Sequence, residues 1–257
     1  MKIDSETTCV VVGGASGMGA ATVEALRAHE ASVVILDANE DKGREIAGRS
    51  GAWFYPVDVT NEASVVEGFE QARAHQGQER VLVHTPGGGG LGAIAWRDPQ
   101  TGAARRHDLA RWERIVRLNL TGTFLCASVA AQGMLDLAPL DGGERGTIIM
   151  TSSIASIQGP AATGAYAASK AGINGLTLSM ARDLAGAGIR VNTILPGNFE
   201  TPLISGLPAD YRATMESWNL FPSRFGQPDE YASFALEIIR NRYFNAGQFR
   251  LDGGAQG

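Results

Sequence analysis

Cysteine is scarce in this sequence: Cys9 and Cys126 are the two it has in 257 residues, and both stand in apolar runs. That excludes a disulfide framework and makes a reducing compartment the natural setting. Histidine is scarce as well, and His29, His75, His84 and His107 fall in no metal-ligand spacing, which argues against a metal enzyme. Basic charge is not in excess. With 22 Lys and Arg against 27 Asp and Glu, the net charge is −5, whereas a general nucleic-acid binder is usually basic. The first apolar run, Cys9 to Val12, is far too short for a membrane span or a signal core, so the chain is placed in the cytoplasm and off the membrane. Linkers, repeats and low-complexity tails are missing too. What remains is 44% hydrophobic with 33 glycines, enough for one α/β domain over residues 1–257 with a substantial core.

Residues 8–12 form a β-branched apolar run that suits a buried parallel strand. It runs into Gly13-Gly14-Ala15-Ser16-Gly17-Met18-Gly19 and then into a good helix from Ala20. Strand, glycine turn and helix are the context of a dinucleotide site: glycine lets the backbone approach a pyrophosphate, and the helix N-terminus offers N–H groups to it. Taken alone, the same residues also suit an ordinary strand-to-helix turn. The second strand, Ser32–Leu36, ends at Asp37, where a carboxylate would bond the adenosine ribose hydroxyls and repel a 2′-phosphate. Ser16 brings no compensating cation, so the pattern favours NAD over NADP. A solvated strand end is the plainer reading of Asp37.

Further along, a helix (40–49), a strand (53–57), a helix (62–75) capped by Thr60, and a strand (81–83) alternate. The implied fold is a single-domain Rossmann fold: doubly wound and mostly parallel, with seven strands and helices on both faces. Residues 91–110 read as irregular, and a long helix follows from Leu109 to about Gly133 with Asn119 in its middle. Asparagine there fits either a local kink or a plain polar helix position. The strand 147–150 leads to Ser152 and Ser153, at the strand end where open α/β sheets bind ligands. Strand 190–195, an apolar cover at about 199–221 (Leu203, Ile204, Leu207, Tyr211, Met215, Trp218 and Phe221 among prolines) read as mobile, helix 228–240 and strand 248–251 complete the chain.

In the helix after Ser153, Tyr166 and Lys170 stand one turn apart on the same face. An ammonium beside a phenol would favour the phenolate and make Tyr166 usable as an acid or base near neutral pH. By itself Tyr-x-x-x-Lys is a common coincidence; with the glycine turn and the serines it becomes a candidate centre.

Together these pieces resemble the short-chain dehydrogenases/reductases over essentially the whole chain. The family's glycine turn is matched by Gly13, Gly17 and Gly19, with Val12 where threonine is usual. Its catalytic tetrad falls on Asn119, Ser153, Tyr166 and Lys170. Ser153 is chosen over Ser152 because the family's serine stands thirteen residues before the tyrosine. The resemblance implies that Ser153 positions the substrate oxygen, Tyr166 exchanges its proton, Lys170 lowers the phenol pKa and holds the nicotinamide ribose, and Asn119 holds a relay water. It further implies NAD contacts at Gly13, Ser16, Gly17, Met18 and Gly19, at Asp37, Asp58 and Val59, at Thr85 and Gly87, at Tyr166 and Lys170, and at Pro196, Gly197, Phe199 and Thr201. One element departs. The usual Asn-Asn-Ala-Gly is here His84-Thr85-Pro86-Gly87, followed by three more glycines that leave little to fix the backbone locally.

A narrower resemblance, carried by 221–226, 230–232 and 250–253, is to the type-2 3-hydroxyacyl-CoA dehydrogenase branch, commonly homotetrameric. It implies oxidation of a 3-hydroxyacyl-CoA as the small-molecule substrate. The alternatives are a hydroxysteroid or another bulky or aryl secondary alcohol, and, more remotely, a cofactor-binding regulator without catalysis. The insertion before Asn119 holds Arg97, Arg105, Arg106, Arg111, Arg114 and Arg117, and it reads either as a solvated surface or as a phosphate-binding patch centred on Arg105 and Arg106.

Overall fold

Strand β1 (Thr8–Val12) shows why the core divides into two layers. Cys9 and Val11 face one side and Val10 and Val12 the other, all fully buried, as a strand covered on both faces requires. The chain continues through α1 (Gly17–Arg27), β2 (Ser32–Asp37), α2 (Glu40–Ser50), β3 (Trp53–Pro56), α3 (Glu62–Gln76) and β4 (Val81–His84). A hairpin, β5 (Ala95–Arg97) with β6 (Ala104–Arg106), precedes α4 (Leu109–Val116), a π-helical turn (Arg117–Thr121) and α5 (Gly122–Leu135). Then come β7 (Gly146–Thr151), α6 (Ala155–Gln158), α7 (Gly164–Ala185), β8 (Ile189–Pro196), α8 (Pro202–Ser205), α9 (Ala209–Ser217), α10 (Pro228–Arg240) and β9 (Gln248–Leu251). This computed structural model describes residues 1–206 and 208–256 and leaves aside the side chains of Pro202, Leu203 and Tyr211; Leu207 of the expected cover lies outside the described residues.

The main sheet has seven strands in the order β3-β2-β1-β4-β7-β8-β9, every neighbouring pair parallel. One core layer includes Val10, Leu36, Phe69, Leu82, Ile148 and Ile173. The other includes Val11, Val23, Leu26, Ile35, Tyr231 and Ile239, where α10 packs against α1. Full burial of such side chains contributes about 1.5–3 kcal/mol each. Strand order reverses direction between β1 and β4, which opens a crevice beyond their C-terminal ends.

Four local readings are corrected. The cap of α3 is Asn61, whose side chain accepts the Ser64 N–H at 3.3 Å; Thr60 instead turns back to bond Asp58 Oδ1. Within 91–110 lies the β5–β6 hairpin, whose residues are exposed and so carry no apolar alternation to read; Asp98 Oδ1 closes its turn by accepting the Gln100 and Thr101 N–H groups. The long helix runs on from Leu109 to Leu135 but widens into a π turn over Arg117–Thr121, so Asn119 marks a local irregularity in the helix and not a plain helix position. Residues 199–221 contain α8 and α9 rather than an irregular cover. The run Leu109–Leu135 is long and apolar enough to cross a membrane, but half of its apolar window is buried in the domain, as expected of a core helix.

Candidate active site

The glycine turn is shaped for close approach. Gly13 and Gly17 have φ of +78° and +51°, and a Cβ on Gly19 would run into the Gly13 carbonyl. Ser16, the N-cap of α1, is extended and makes no side-chain cap bond, so the first-turn N–H groups face the crevice with Met18 beside them. Thr85, just past β4, donates to Val12 O at 2.9 Å and so ties the two central strand ends together. Asp37 is held in place: Oδ2 accepts the Ala15 N–H at 3.1 Å and Oδ1 the Asn39 N–H at 2.9 Å. With Asp58 and Val59 it lines the same cleft, whose volume is about 1030 Å³. This cradle, free of side chains where a pyrophosphate would lie and ending in a carboxylate, fits a dinucleotide.

At the other end, Ser153 follows β7, and its Oγ accepts the Ala155 N–H at 3.1 Å. Ser152 is spoken for, because its hydroxyl donates to Lys170 O at 2.8 Å and steadies α7. Tyr166 and Lys170 come from α7. Lys170 is 2% exposed; its Nζ donates to Thr151 O at 2.8 Å and lies 5.9 Å from the centroid of the Tyr166 ring. Burial raises the Tyr166 phenol above its ordinary value, and the Ser153 hydroxyl facing it opposes the rise. Burial also lowers the Lys170 amine to about 7. The expectation that Lys170 depresses the phenol pKa is therefore revised: the ammonium is spent on the Thr151 carbonyl, and desolvation dominates both groups. The consequence is an amine that can release or take a proton near neutrality beside the phenol. Thr151 had no signal in sequence beyond its place before the serines; its hydroxyl bonds His84 O at 2.7 Å and Tyr231 OH at 2.6 Å.

Asn119 is not on the cleft surface. The π turn presents its side chain to the glycine strip, where Oδ1 accepts the Gly88 N–H at 3.0 Å and Nδ2 donates to Gly88 O at 2.8 Å and Ile115 O at 3.0 Å. The strip that looked unfixed in sequence is clamped from outside itself. Gly87 lies against the lysine, where a Cβ would come within 2.9 Å of Nζ, and one on Gly89 would meet the Tyr166 ring at 3.3 Å. Pro196 also stays behind the cleft, at the buried end of β8, with its carbonyl accepting the Ile154 N–H at 3.0 Å. Gly197, Phe199 and Thr201 line the cleft, and Ile204, Met215 and Trp218 form its outer wall. Arg212 braces α9 there by bonding both carboxylate oxygens of Glu200, at 2.7 and 3.0 Å.

His84, in place of the usual asparagine, is fully buried, and its Nδ1 sits 3.3 Å from Thr123 Oγ1. Burial first, and then the Lys170 charge, lower its pKa to about 3, well under the ordinary 6.5. The unfolded chain thus binds this proton more tightly, so stability is full above the ordinary value and is lost as pH falls below it. Between pH 7 and pH 5 His84 should cost about 2 kcal/mol of unfolding free energy. Urea titrations of His84→Asn should show a correspondingly flatter acid limb; an identical limb in both proteins would refute this assignment.

Comparison with known proteins decides the family. The family model described as short chain dehydrogenase matches residues 7–212. The chain belongs to this family. It is 41% identical over 246 residues to the 3-hydroxyacyl-CoA dehydrogenase type-2 of Bos taurus, covering 95% of this chain and 93% of that one. To the 3-alpha-(or 20-beta)-hydroxysteroid dehydrogenase of Mycobacterium bovis it is 32% identical over 249 residues, covering 95% and 87%. The crystal structure of 3-hydroxyacyl-CoA dehydrogenase type-2 from Mycobacterium avium superposes with a TM-score of 0.93 at 38% identity, covering 100% and 98%. As a short-chain dehydrogenase the protein is an oxidoreductase acting on CH–OH donors with a nicotinamide cofactor.

Proposed function

We propose that this short-chain dehydrogenase is NAD-dependent and oxidises 3-hydroxyacyl-CoA thioesters. The observation that carries the reading is one continuous cleft with Asp37 at one end and Ser153, Tyr166 and Lys170 at the other. Asp37 accepts ribose hydroxyls and repels a 2′-phosphate. The Ser153 hydroxyl orients the substrate oxygen and stabilises charge on it. Tyr166 takes the hydroxyl proton as its own phenolic proton leaves towards the neutral Lys170 amine, whose pKa near neutrality lets it pass the proton on. Bound nicotinamide supplies the hydride acceptor. Asn119 acts by holding the glycine strip against Lys170 and the phenol. The reading includes a cytoplasmic homotetramer; two buried free thiols and the exposed apolar Phe124 and Leu178 on α5 and α7 support it.

A hydroxysteroid or another bulky secondary alcohol is the second reading, supported by the Mycobacterium bovis relative and by the wide wall of Phe199, Met215 and Trp218. NADH release measured over acyl-CoA, steroid and aryl-alcohol panels separates the two. NAD should be preferred over NADP by well over tenfold in kcat/KM, since about 1.4 kcal/mol of repulsion suffices for tenfold. Asp37→Ala should shrink that ratio. Equal use of both cofactors by the wild type would overturn the role of Asp37.

A further inference from the structure

Beside the catalytic cleft lies a second concavity of about 680 Å³. It shares Gly88, Gly89, Gly90 and Leu118 with the cleft. Its wall is one face of α4 and the π turn, where Arg111, Arg114, Ile115 and Leu118 recur at helical spacing. Arg117 closes the far side by donating from Nε to Thr60 O at 2.9 Å. In a chain of net charge −5, no carboxylate among the described residues lines this groove. Among the described residues, none of its three guanidinium groups makes an ion pair. Arg105 and Arg106, which the sequence singled out, are placed elsewhere. They lie on the exposed strand β6, outside both concavities, and Arg105 faces Asp98 at 3.7 Å.

The glycine strip lies between the chemistry and these cations. A Cβ on Gly89 would touch the Tyr166 ring, and one on Gly90 would come within 2.7 Å of Arg111 Nη2. A ligand with its carbinol carbon at Tyr166 can therefore run across Gly89 and Gly90 and leave its trailing end beside Arg111 and Arg114. Uncompensated guanidinium groups suit phosphate oxygens, which their planar forks bond in pairs. CoA thioesters trail a pyrophosphate and a 3′-phosphate. We propose that this groove binds the phosphorylated nucleotide end of the acyl-CoA substrate, with Arg111 and Arg114 taking its phosphates. The assignment rests on the acyl-CoA reading above and extends the site beyond the reacting atoms.

The test compares wild type with the Arg111→Gln/Arg114→Gln double variant on two substrates, 3-hydroxybutyryl-CoA and the same acyl group on N-acetylcysteamine, which lacks the nucleotide. KM for the CoA ester should rise about tenfold in the variant, with less than a twofold change for the short ester; two charge-assisted contacts, one from half-buried Arg111 and one from exposed Arg114, account for that size. The rise should shrink with added salt. Equal shifts for both esters, no shift, or a shift in KM for NAD instead, which would put a cofactor phosphate in the groove, overturns the proposal. Equilibrium titration with free CoA separates this from the activity reading. If no thioester is oxidised but CoA binding weakens about tenfold in the variant, the groove stands and the acyl-CoA activity falls. If CoA esters are oxidised without dependence on the arginines, the groove assignment alone falls.

Discussion

Tyr166→Phe should lower kcat by at least about 10²-fold while leaving the affinity for NADH nearly unchanged. The substitution removes one oxygen, which is the atom facing Ser153. The ring stays packed against the glycine strip at Gly89, so the wall of the cleft survives. Lys170 keeps its own bond to Thr151 O, and nothing that shapes the dinucleotide cradle is touched. The loss should therefore appear in turnover and not in a fluorescence titration with NADH. An enzyme that keeps most of its activity would show that the proton is handled by another group.

Lys170→Met should also abolish most turnover, and it carries a second signature in stability. The amine is buried, and its pKa falls from the ordinary 10.5 to about 7. Between these values the unfolded chain holds the proton more tightly than the folded one, so the wild type should gain stability as pH rises from about 7. Methionine fills similar space without a charge to desolvate and has no such slope. The stability difference should move in favour of the wild type by about 2 kcal/mol between pH 7 and pH 9, whatever the loss of the Thr151 bond adds at both. Parallel pH slopes for the two proteins in urea would mean that the amine is solvated and titrates normally. Expected together, lost activity and a flattened slope are the signs of a residue kept for chemistry at a cost to the fold.

The sheet was readable because apolar runs of four to six residues alternate with helical patterns, and those strands survive with ends shifted by a residue or two. The candidate positions were readable for the same reason: Asp37, Ser153 and the glycine turn stand at strand ends, where the topology gathers them into one cleft. What sequence concealed was interaction between distant segments. Asn119 could be singled out, but not its bonds to Gly88, which lies 31 residues away. The direction of the Lys170 amine is set by a strand carbonyl and not by its helical neighbour Tyr166, so spacing alone misjudged the phenol. The arginine groove escaped because its residues are spread over a loop, a helix and a π turn, whereas the adjacent pair Arg105-Arg106 is conspicuous only in linear order.

The π turn has a consequence for how this chain can vary. Such a turn is in effect one residue too many for an α-helix of the same path. Loss of one residue between Arg117 and Thr121 would restore ordinary winding and leave α4 and α5 in the same phase, so the change falls on the turn itself. The arginine face of α4 would keep its groove, but the asparagine would lose the widened turn from which its side chain reaches Gly88. Length in this stretch is thus under a stricter constraint than residue identity, and single-residue deletions there should be far rarer among descendants of this sequence than substitutions.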